Sequence, residues 1–155
     1  MQDIQYIGES VLPGRIGHFL IITAFTSALL AAWSFFKANK LTGHESDSWK
    51  KLGRSAFTVH GLSIFSIIGL IFYLMANEHY EYQYVWAHVN SELPKRYIFA
   101  AFWEGQEGSF LLWMFWHVVL GFIFLLWNNS WEKPVSGVLS LVQAFIVTMI
   151  MGIYF

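Results

Sequence analysis

The stretch IGHFLIITAFTSALLAAWSFF, residues 16–36, decides the fold class of this 155-residue chain. It lies between Arg15 and Lys37 and contains no formally charged residue. About 20 predominantly apolar residues are enough for a helix to cross the hydrocarbon core of a bilayer. This stretch therefore predicts a transmembrane helix.

Three further stretches have the same character, at residues 55–77, 109–127 and 137–155. We therefore predict an all-α, polytopic integral membrane protein with about four transmembrane helices, forming a single membrane domain over residues 1–155. The fourth stretch stays apolar to its last residue, without a flanking charge. This pattern favours the amino-terminal part of a longer protein, or one half of a split protein.

The composition agrees with a membrane protein, because 56% of the residues are hydrophobic and only 12% are charged. A soluble domain has a different balance. The formal net charge is −1 and no dense Lys/Arg block occurs, so we expect membrane lipid and no nucleic acid as a partner. The chain has no cysteine, which excludes disulfides, thiolate metal sites and thioether attachment of a cofactor to this chain.

The distribution of basic residues predicts the orientation. The polar segment between the first two spans is rich in them, namely Lys37, Lys40, Lys50, Lys51 and Arg54. Since short cytoplasmic loops carry the excess of Lys and Arg, this segment should be cytoplasmic and the N-terminus should lie on the outer side. Alternation then places residues 78–96 outside, although Lys95 and Arg96 count against it.

The outer segment contains HYEYQYVWAH, residues 79–88. Every second position from 80 onward carries a ring: Tyr80, Tyr82, Tyr84, Trp86 and His88. Alternation is the period of an extended strand. Such an aromatic edge fits either an interfacial belt or a wall for a flat apolar ligand. Pro94 then prevents a continuous helix, and we predict a short interfacial helix over Tyr97–Trp103, before the third span.

The motif FWEGQEGSFLLWMFWH, residues 102–117, leads into the third span. Gly105 and Gly108 lower helix propensity by about 1 kcal/mol each, which predicts a break before Ser109 and makes Ser109 a candidate helix cap. Two interpretations of the acids, Glu104 and Glu107, remain open: a hydrated helix entrance or the floor of an outward cavity.

Helical spacing also places Phe110, Trp113 and His117 in one stripe of the third span. If the helix ran straight through the motif, Trp103 would join this stripe.

Histidines inside the spans are candidates for haem or metal ligation, because ionisable groups within a membrane are often functional. His18 is expected near the outer end of the first span, His60 near the inner end of the second and His117 near the middle of the third. At about 1.5 Å per residue, no two of them match in depth. Each fits a ligand or a side chain satisfied by a neighbouring carbonyl, and the sequence predicts no metal site.

The run YVWAHVNSELPKRYIFAAFWEGQEGSFLLW, residues 84–113, resembles the amino-terminal region of the CcmF family of cytochrome c-type biogenesis proteins, within the haem-handling CcmF/CcsA group. Order and spacing both agree over the matching residues, which are Tyr84, Val85, Asn90, Leu93, Pro94, Tyr97, Trp103, Gly105, Glu107, Gly108, Ser109, Leu111, Leu112 and Trp113. Glu104 departs from the small residue that the family often has there.

The resemblance implies a multi-pass protein of the bacterial inner membrane with a periplasmic N-terminus. Members of the family act as haem lyases: they receive b-type haem from a haem-delivery chaperone and join it to apocytochrome c on the periplasmic face. Their haem ligands and tryptophan-rich segment lie further along the chain, so no residue here is expected to be catalytic.

By the same resemblance, a family turn should support the haem cavity, and this chain should require the remaining portion or other subunits of the lyase. The turn residues are Trp103, Gly105, Glu107, Gly108, Ser109 and Trp113, with His88 and His117 as further candidates for contact with haem.

A second hypothesis is a small polytopic transporter or channel subunit. In it, Glu104, Glu107 and His117 would line a path for a cation or proton.

Overall fold

Helices make up the regular secondary structure of residues 10–127 and 130–153, the parts of the chain that the computed structural model describes. In chain order they are α1 (Leu12–Lys40), α2 (Gly43–Ala76), α3 (Gln83–His88), a 3-10 turn (Lys95–Tyr97), α4 (Ile98–Glu104), α5 (Gln106–Leu126) and α6 (Glu132–Ile153). The helices α1, α2, α5 and α6 are each long and apolar enough to cross a membrane. The prediction of an all-α polytopic membrane protein is confirmed.

The four long helices form a ring, in which α1 and α5 each pack against both α2 and α6. The buried side of α1 consists mainly of small side chains, which let neighbouring backbones approach closely, as is usual between membrane helices. These residues are Ala24, Ser27, Ala28, Ala31, Ala32, Ser34 and Ala38.

The polar segment predicted as the first loop is helical instead. Only Leu41 and Thr42 separate α1 from α2, and Gly43 has a positive φ of 65° where the chain reverses. With 34 residues, α2 is about 51 Å long, well beyond a hydrocarbon core of about 30 Å. The span limits drawn at the first charged residue underestimated the lengths of α1 and α2, because helical hydrogen bonding continues into the polar sequence. We call the end of the bundle at which α1 is joined to α2 the basic end.

A buried ion pair connects α2 to α6 at the basic end. Glu132 is 1% exposed and accepts hydrogen bonds from Arg54 Nε at 2.6 Å and Arg54 Nη2 at 2.8 Å, while Lys50 Nζ lies 2.9 Å from its carboxylate. The predicted fourth span began at residue 137, but α6 begins at Glu132. Two basic partners compensate a carboxylate that would be costly to bury alone.

Halfway along the bundle, one polar pair links all four long helices. The His60 Nδ1–H donates to the backbone oxygen of Ala24 at 2.9 Å, and Gln143 is the second polar neighbour of the imidazole ring. Gln143 Nε2 in turn donates to the backbone oxygen of Met114 at 3.0 Å. His60 and Gln143 are both 0% exposed, so this pair fixes how the four helices are rotated against one another.

Close packing of α5 against α2 gives a direct test of this architecture. A Cβ atom on Gly121 would lie 2.3 Å from Cζ of Phe57, whereas a Cβ on Gly69 would meet nothing within 4 Å. We expect Gly121→Ala to lower the free energy of unfolding by about 1–3 kcal/mol, the usual cost of overpacking a core. The matched Gly69→Ala should leave it unchanged or raise it by up to about 1 kcal/mol. Unfolding of the purified protein in detergent measures both, and equal effects would contradict the packing.

Candidate functional site

The motif at residues 102–117 forms a sharp break between two helices. α4 ends at Glu104, Gly105 has an extended backbone with φ −71° and ψ 149°, and α5 begins at Gln106. The predicted break is therefore present, and the alternative of one straight helix is excluded. We call residues 103–109 the glycine turn, and the extremity of the bundle that contains it the motif end.

Tyr84 holds the glycine turn in place. Its hydroxyl donates to the backbone oxygen of Phe102 at 2.5 Å. A Cβ on Gly105 would lie 2.7 Å from the Tyr84 ring, and a Cβ on Gly108 would lie 1.7 Å from the oxygen of Phe102. Both glycines are thus required for close approach, a stronger reason than the low helix propensity that the sequence suggested.

Ser109 does not cap the third span as predicted, because α5 begins three residues earlier, with Gly105 at the N-cap position. Instead, Ser109 Oγ donates to the backbone oxygen of Trp103 at 3.2 Å, and its backbone N–H donates to Gly105. Ser109 therefore ties the two sides of the glycine turn together.

The two acids lie on either side of the break. Glu104 is exposed as the last residue of α4, and Glu107 is partly exposed in the first turn of α5, where the helix dipole favours a negative charge. Neither carboxylate forms an ion pair with the described residues. This placement agrees with a hydrated helix entrance.

Tryptophans close to the glycine turn face outward. The exposed fraction is 54% for Trp103 and 58% for Trp113, and the ring of Phe110 meets Trp113 edge-on with centroids 5.8 Å apart. Phe110, Trp113 and His117 follow one another on α5 at the predicted helical spacing. The motif end therefore presents indole surface to its surroundings.

The alternating aromatic segment is not an extended strand. Residues 83–88 form the helix α3, so Tyr84 and His88 lie one turn apart on the same side with ring centroids 4.5 Å apart. Tyr82 points elsewhere, because its hydroxyl bonds to the start of α1, while Trp86 is 71% exposed. The prediction of a single aromatic edge was therefore wrong: tertiary hydrogen bonds direct the side chains to different neighbours.

Of the histidine candidates, His88 lies beside the glycine turn. Its Nδ1–H donates to the backbone oxygen of Tyr84 at 2.8 Å, which leaves Nε2 for another contact. His117 is about 18 Å further along α5 than Gly105 and has a buried Nδ1 without a hydrogen-bond partner among the described residues. The structure therefore does not bring His88 and His117 together.

The depth predicted for His60 was wrong. Gly61 packs against Val118, so His60 lies at the level of His117 and not near one end of the bundle. The helices extend well beyond the apolar spans from which the depth was judged. His60 Nδ1 bonds to the backbone oxygen of Ala24, as in the structural alternative that the sequence left open, while its Nε2 has no hydrogen-bond partner among the described residues.

These positions do not provide an axial pair of histidines for haem. His60 is buried in the core, where it bonds to the backbone of α1. His88 and His117 are separated by most of the length of α5. Among residues 10–127 and 130–153, no three His, Asp or Glu side chains converge on a common point. What the arrangement offers instead is a rigid turn bordered by exposed aromatic rings.

Comparison with known proteins gives one informative similarity. The chain is 34% identical to the cytochrome c-type biogenesis protein NrfE of Haemophilus influenzae over 109 residues, which cover 68% of this chain and 16% of that protein. No family model matches the chain, and no solved structure does. The similarity supports the cytochrome c-type biogenesis family of the CcmF/NrfE kind, without singling out CcmF.

The hydrogen bond from Tyr84 can be tested by removing one oxygen atom. We expect Tyr84→Phe to destabilise the glycine turn by about 1 kcal/mol, the typical contribution of a hydrogen bond, and to speed amide hydrogen exchange at residues 105–109. Tyr97→Phe is the control, because Tyr97 is 47% exposed and its ring makes a cation–π contact with Arg96 that does not require the hydroxyl. Equal exchange in the two variants would show that Tyr84 does not hold the turn.

Proposed function

We propose that this chain, with its similarity to the CcmF/NrfE kind of cytochrome c-type biogenesis protein, is the membrane module of a cytochrome c haem lyase. In this role it supports the surface on which haem and apocytochrome c are brought together. Because the matched stretch covers a small part of the relative's length, the haem lyase activity itself is assigned to the complete assembly.

One observation carries this proposal: residues far apart in the matching motif meet in a single structural unit. Tyr84 is the first residue of the matching stretch, and it lies against Gly105 and Gly108, which belong to the second half of that stretch. Ser109 belongs to the same unit, because its hydroxyl donates a hydrogen bond to the backbone oxygen of Trp103. A motif whose members contact one another to shape a turn is best explained by a need for that exact shape.

The surface at the motif end fits a supporting role for a flat apolar cofactor. Trp103 and Trp113 are more than half exposed, and His88, which uses Nδ1 for its bond to Tyr84, has no hydrogen bond at Nε2 to another described residue. We assign to this surface the edge of a cavity for b-type haem. Its axial ligands are assigned to the remaining portion or other subunits of the lyase, because the described histidines do not form an axial pair.

The proposed location is the bacterial inner membrane, with the N-terminus and the motif end periplasmic. The basic end carries Lys37, Lys40 and Lys51 on solvent-exposed helix positions, which the positive-inside rule favours for the cytoplasm. Lys50 and Arg54 contribute less to this preference because Glu132 neutralises part of their charge. A haem-delivery chaperone and apocytochrome c would then approach the same periplasmic face.

The transporter or channel alternative has less support. A path from Glu107 to His117 would run about 15 Å along α5, and the buried side chains of Leu111 and Met114 fill that side of the helix at 1% exposure each. Glu104 points to the exposed side of the turn. The described residues therefore provide no continuous polar route.

The proposal predicts that the shape of the glycine turn controls cytochrome c maturation. Gly108→Ala, introduced into the protein in its native cell, should strongly reduce haem-stained cytochrome c, because a Cβ cannot fit against Phe102. Gly69→Ala at an open helix position should leave it normal. If Glu107→Gln abolished ion flux while both glycine variants matured cytochrome c normally, the transporter function would replace this proposal.

A separate expectation concerns haem binding by the chain alone. Purified from haem-sufficient cells, it should show no Soret absorbance, because its histidines do not form an axial pair. The complete assembly, purified from the same cells, provides the positive control. A stable bis-histidine spectrum from the chain alone would contradict this assignment of the ligands.

A further inference from the structure

Two adjoining cavities lie along the first turns of α1 at the motif end, away from the glycine turn. Their volumes are about 590 and 400 Å³, and they share Gly14, His18, Ile22 and Tyr82 as lining residues. Together they form one continuous depression, which we call the α1 groove. We call its upper part, which carries Arg15 and Glu81, the polar part, and its lower part, which carries no charged residue, the apolar part.

The apolar part runs down the surface between α1 and α2. It is lined by aliphatic side chains from both helices: Ile21, Ile22, Ile67, Leu70, Ile71 and Leu74. From Gly14 to Ile22 the groove extends about 12 Å along the helix axis. One leaflet of a hydrocarbon core is about 15 Å deep, so the groove matches the upper part of an acyl chain in that leaflet.

The polar part carries one cation and one anion. Arg15 is exposed, lines the upper cavity and makes no ion pair with the described residues. Glu81 lines the same cavity and accepts a hydrogen bond from His79 at 2.8 Å. Burial acts to raise the pKa of Glu81, but hydrogen bonds from its own backbone, His79 and the backbone of Ser10 lower it overall, so Glu81 remains a carboxylate.

Tyr82 fixes the two charged residues of the polar part relative to each other. Its hydroxyl accepts a hydrogen bond from the backbone N–H of Gly14 at 2.9 Å and donates to the backbone oxygen of Ser10 at 2.6 Å. This connection fixes the segment that bears Glu81 against the start of α1, which bears Arg15. The fold therefore holds the two charged residues in a fixed position relative to each other.

We infer that the α1 groove binds a phospholipid whose head group combines a phosphate with a primary ammonium, as in phosphatidylethanolamine. Arg15 receives the phosphate, the Glu81 carboxylate receives the ammonium, and one acyl chain lies against Ile67, Leu70 and Ile71. The paired charges of the cavity complement the paired charges of this head group.

The same geometry distinguishes among lipids. A purely anionic head group has no ammonium to compensate the Glu81 carboxylate, so the repulsion between its phosphate and Glu81 opposes binding. A trimethylammonium head group has the right charge but no N–H, so it cannot donate a hydrogen bond to the carboxylate. Free phosphoethanolamine has the head-group chemistry but gains nothing from the apolar part of the groove.

The inference can be tested with lipids that carry a photoactivatable diazirine in one acyl chain. The full chain is reconstituted in nanodiscs with the phosphatidylethanolamine, phosphatidylcholine or phosphatidylglycerol probe, all with identical acyl chains. We expect the ethanolamine probe to label peptides containing residues 21–22 and 67–74 about tenfold more than the other two, as the loss of a hydrogen bond to a charged group predicts. Free phosphoethanolamine should not compete.

Substitutions in both parts of the groove provide matched controls. Arg15→Gln and Glu81→Gln should each reduce the labelling about tenfold, whereas Arg96→Gln and Glu92→Gln, at exposed positions of the same outer segment, should not. Gly17→Leu should block the apolar part, because its Cβ meets only Leu70 at 3.5 Å, and Gly69→Leu should have no effect. Equal labelling by the three lipids, or loss in the control variants, would overturn the inference.

Discussion

The hydrogen bonds from His60 and Gln143 to the backbones of neighbouring helices are the constraint on which the rest of the bundle depends. The centre of a bilayer has no water to satisfy polar groups, so each must find a partner within the protein. His60 uses the backbone of Ala24, and Gln143 uses the backbone of Met114. Because the partners belong to four different helices, a rotation of any one would leave a buried polar group unpaired, at a cost of about 1–3 kcal/mol.

This fixed rotation determines what each extremity of the bundle can present. At the basic end it places Glu132 against Arg54, which closes the bundle with a buried charge pair. At the motif end it places the start of α5 beneath the helix that carries Tyr84, where only glycines fit. Both extremities expose tryptophan surface, Trp103 and Trp113 at the motif end and Trp127 and Trp131 at the basic end, but a buried ion pair closes the basic end whereas a rigid turn forms the motif end.

The sequence predicted the number of apolar helices and the break at Gly105, because both depend on local composition. It missed contacts that depend on tertiary packing. Span limits drawn at the first charged residue placed His60 near one end, whereas α2 continues through Arg54 and Lys50 toward the basic end. Glu132 looked like a loop residue, since its partner lies 78 positions away in the sequence. The role of Tyr84 was likewise invisible, because alternation alone does not say where a hydroxyl points.

The distribution of polar groups among the described residues agrees with the supporting role that we propose for this chain. Near the centre, His60 and Gln143 each bond to the backbone of a neighbouring helix, so these side chains hold the helices together. At the motif end, the exposed tryptophan surfaces lie next to a turn with little conformational freedom. A reacting centre requires convergent acids, bases or metal ligands, whereas a rigid aromatic border requires only that its backbone be held in place. The close contacts around Gly105 and Gly108 hold that backbone in place.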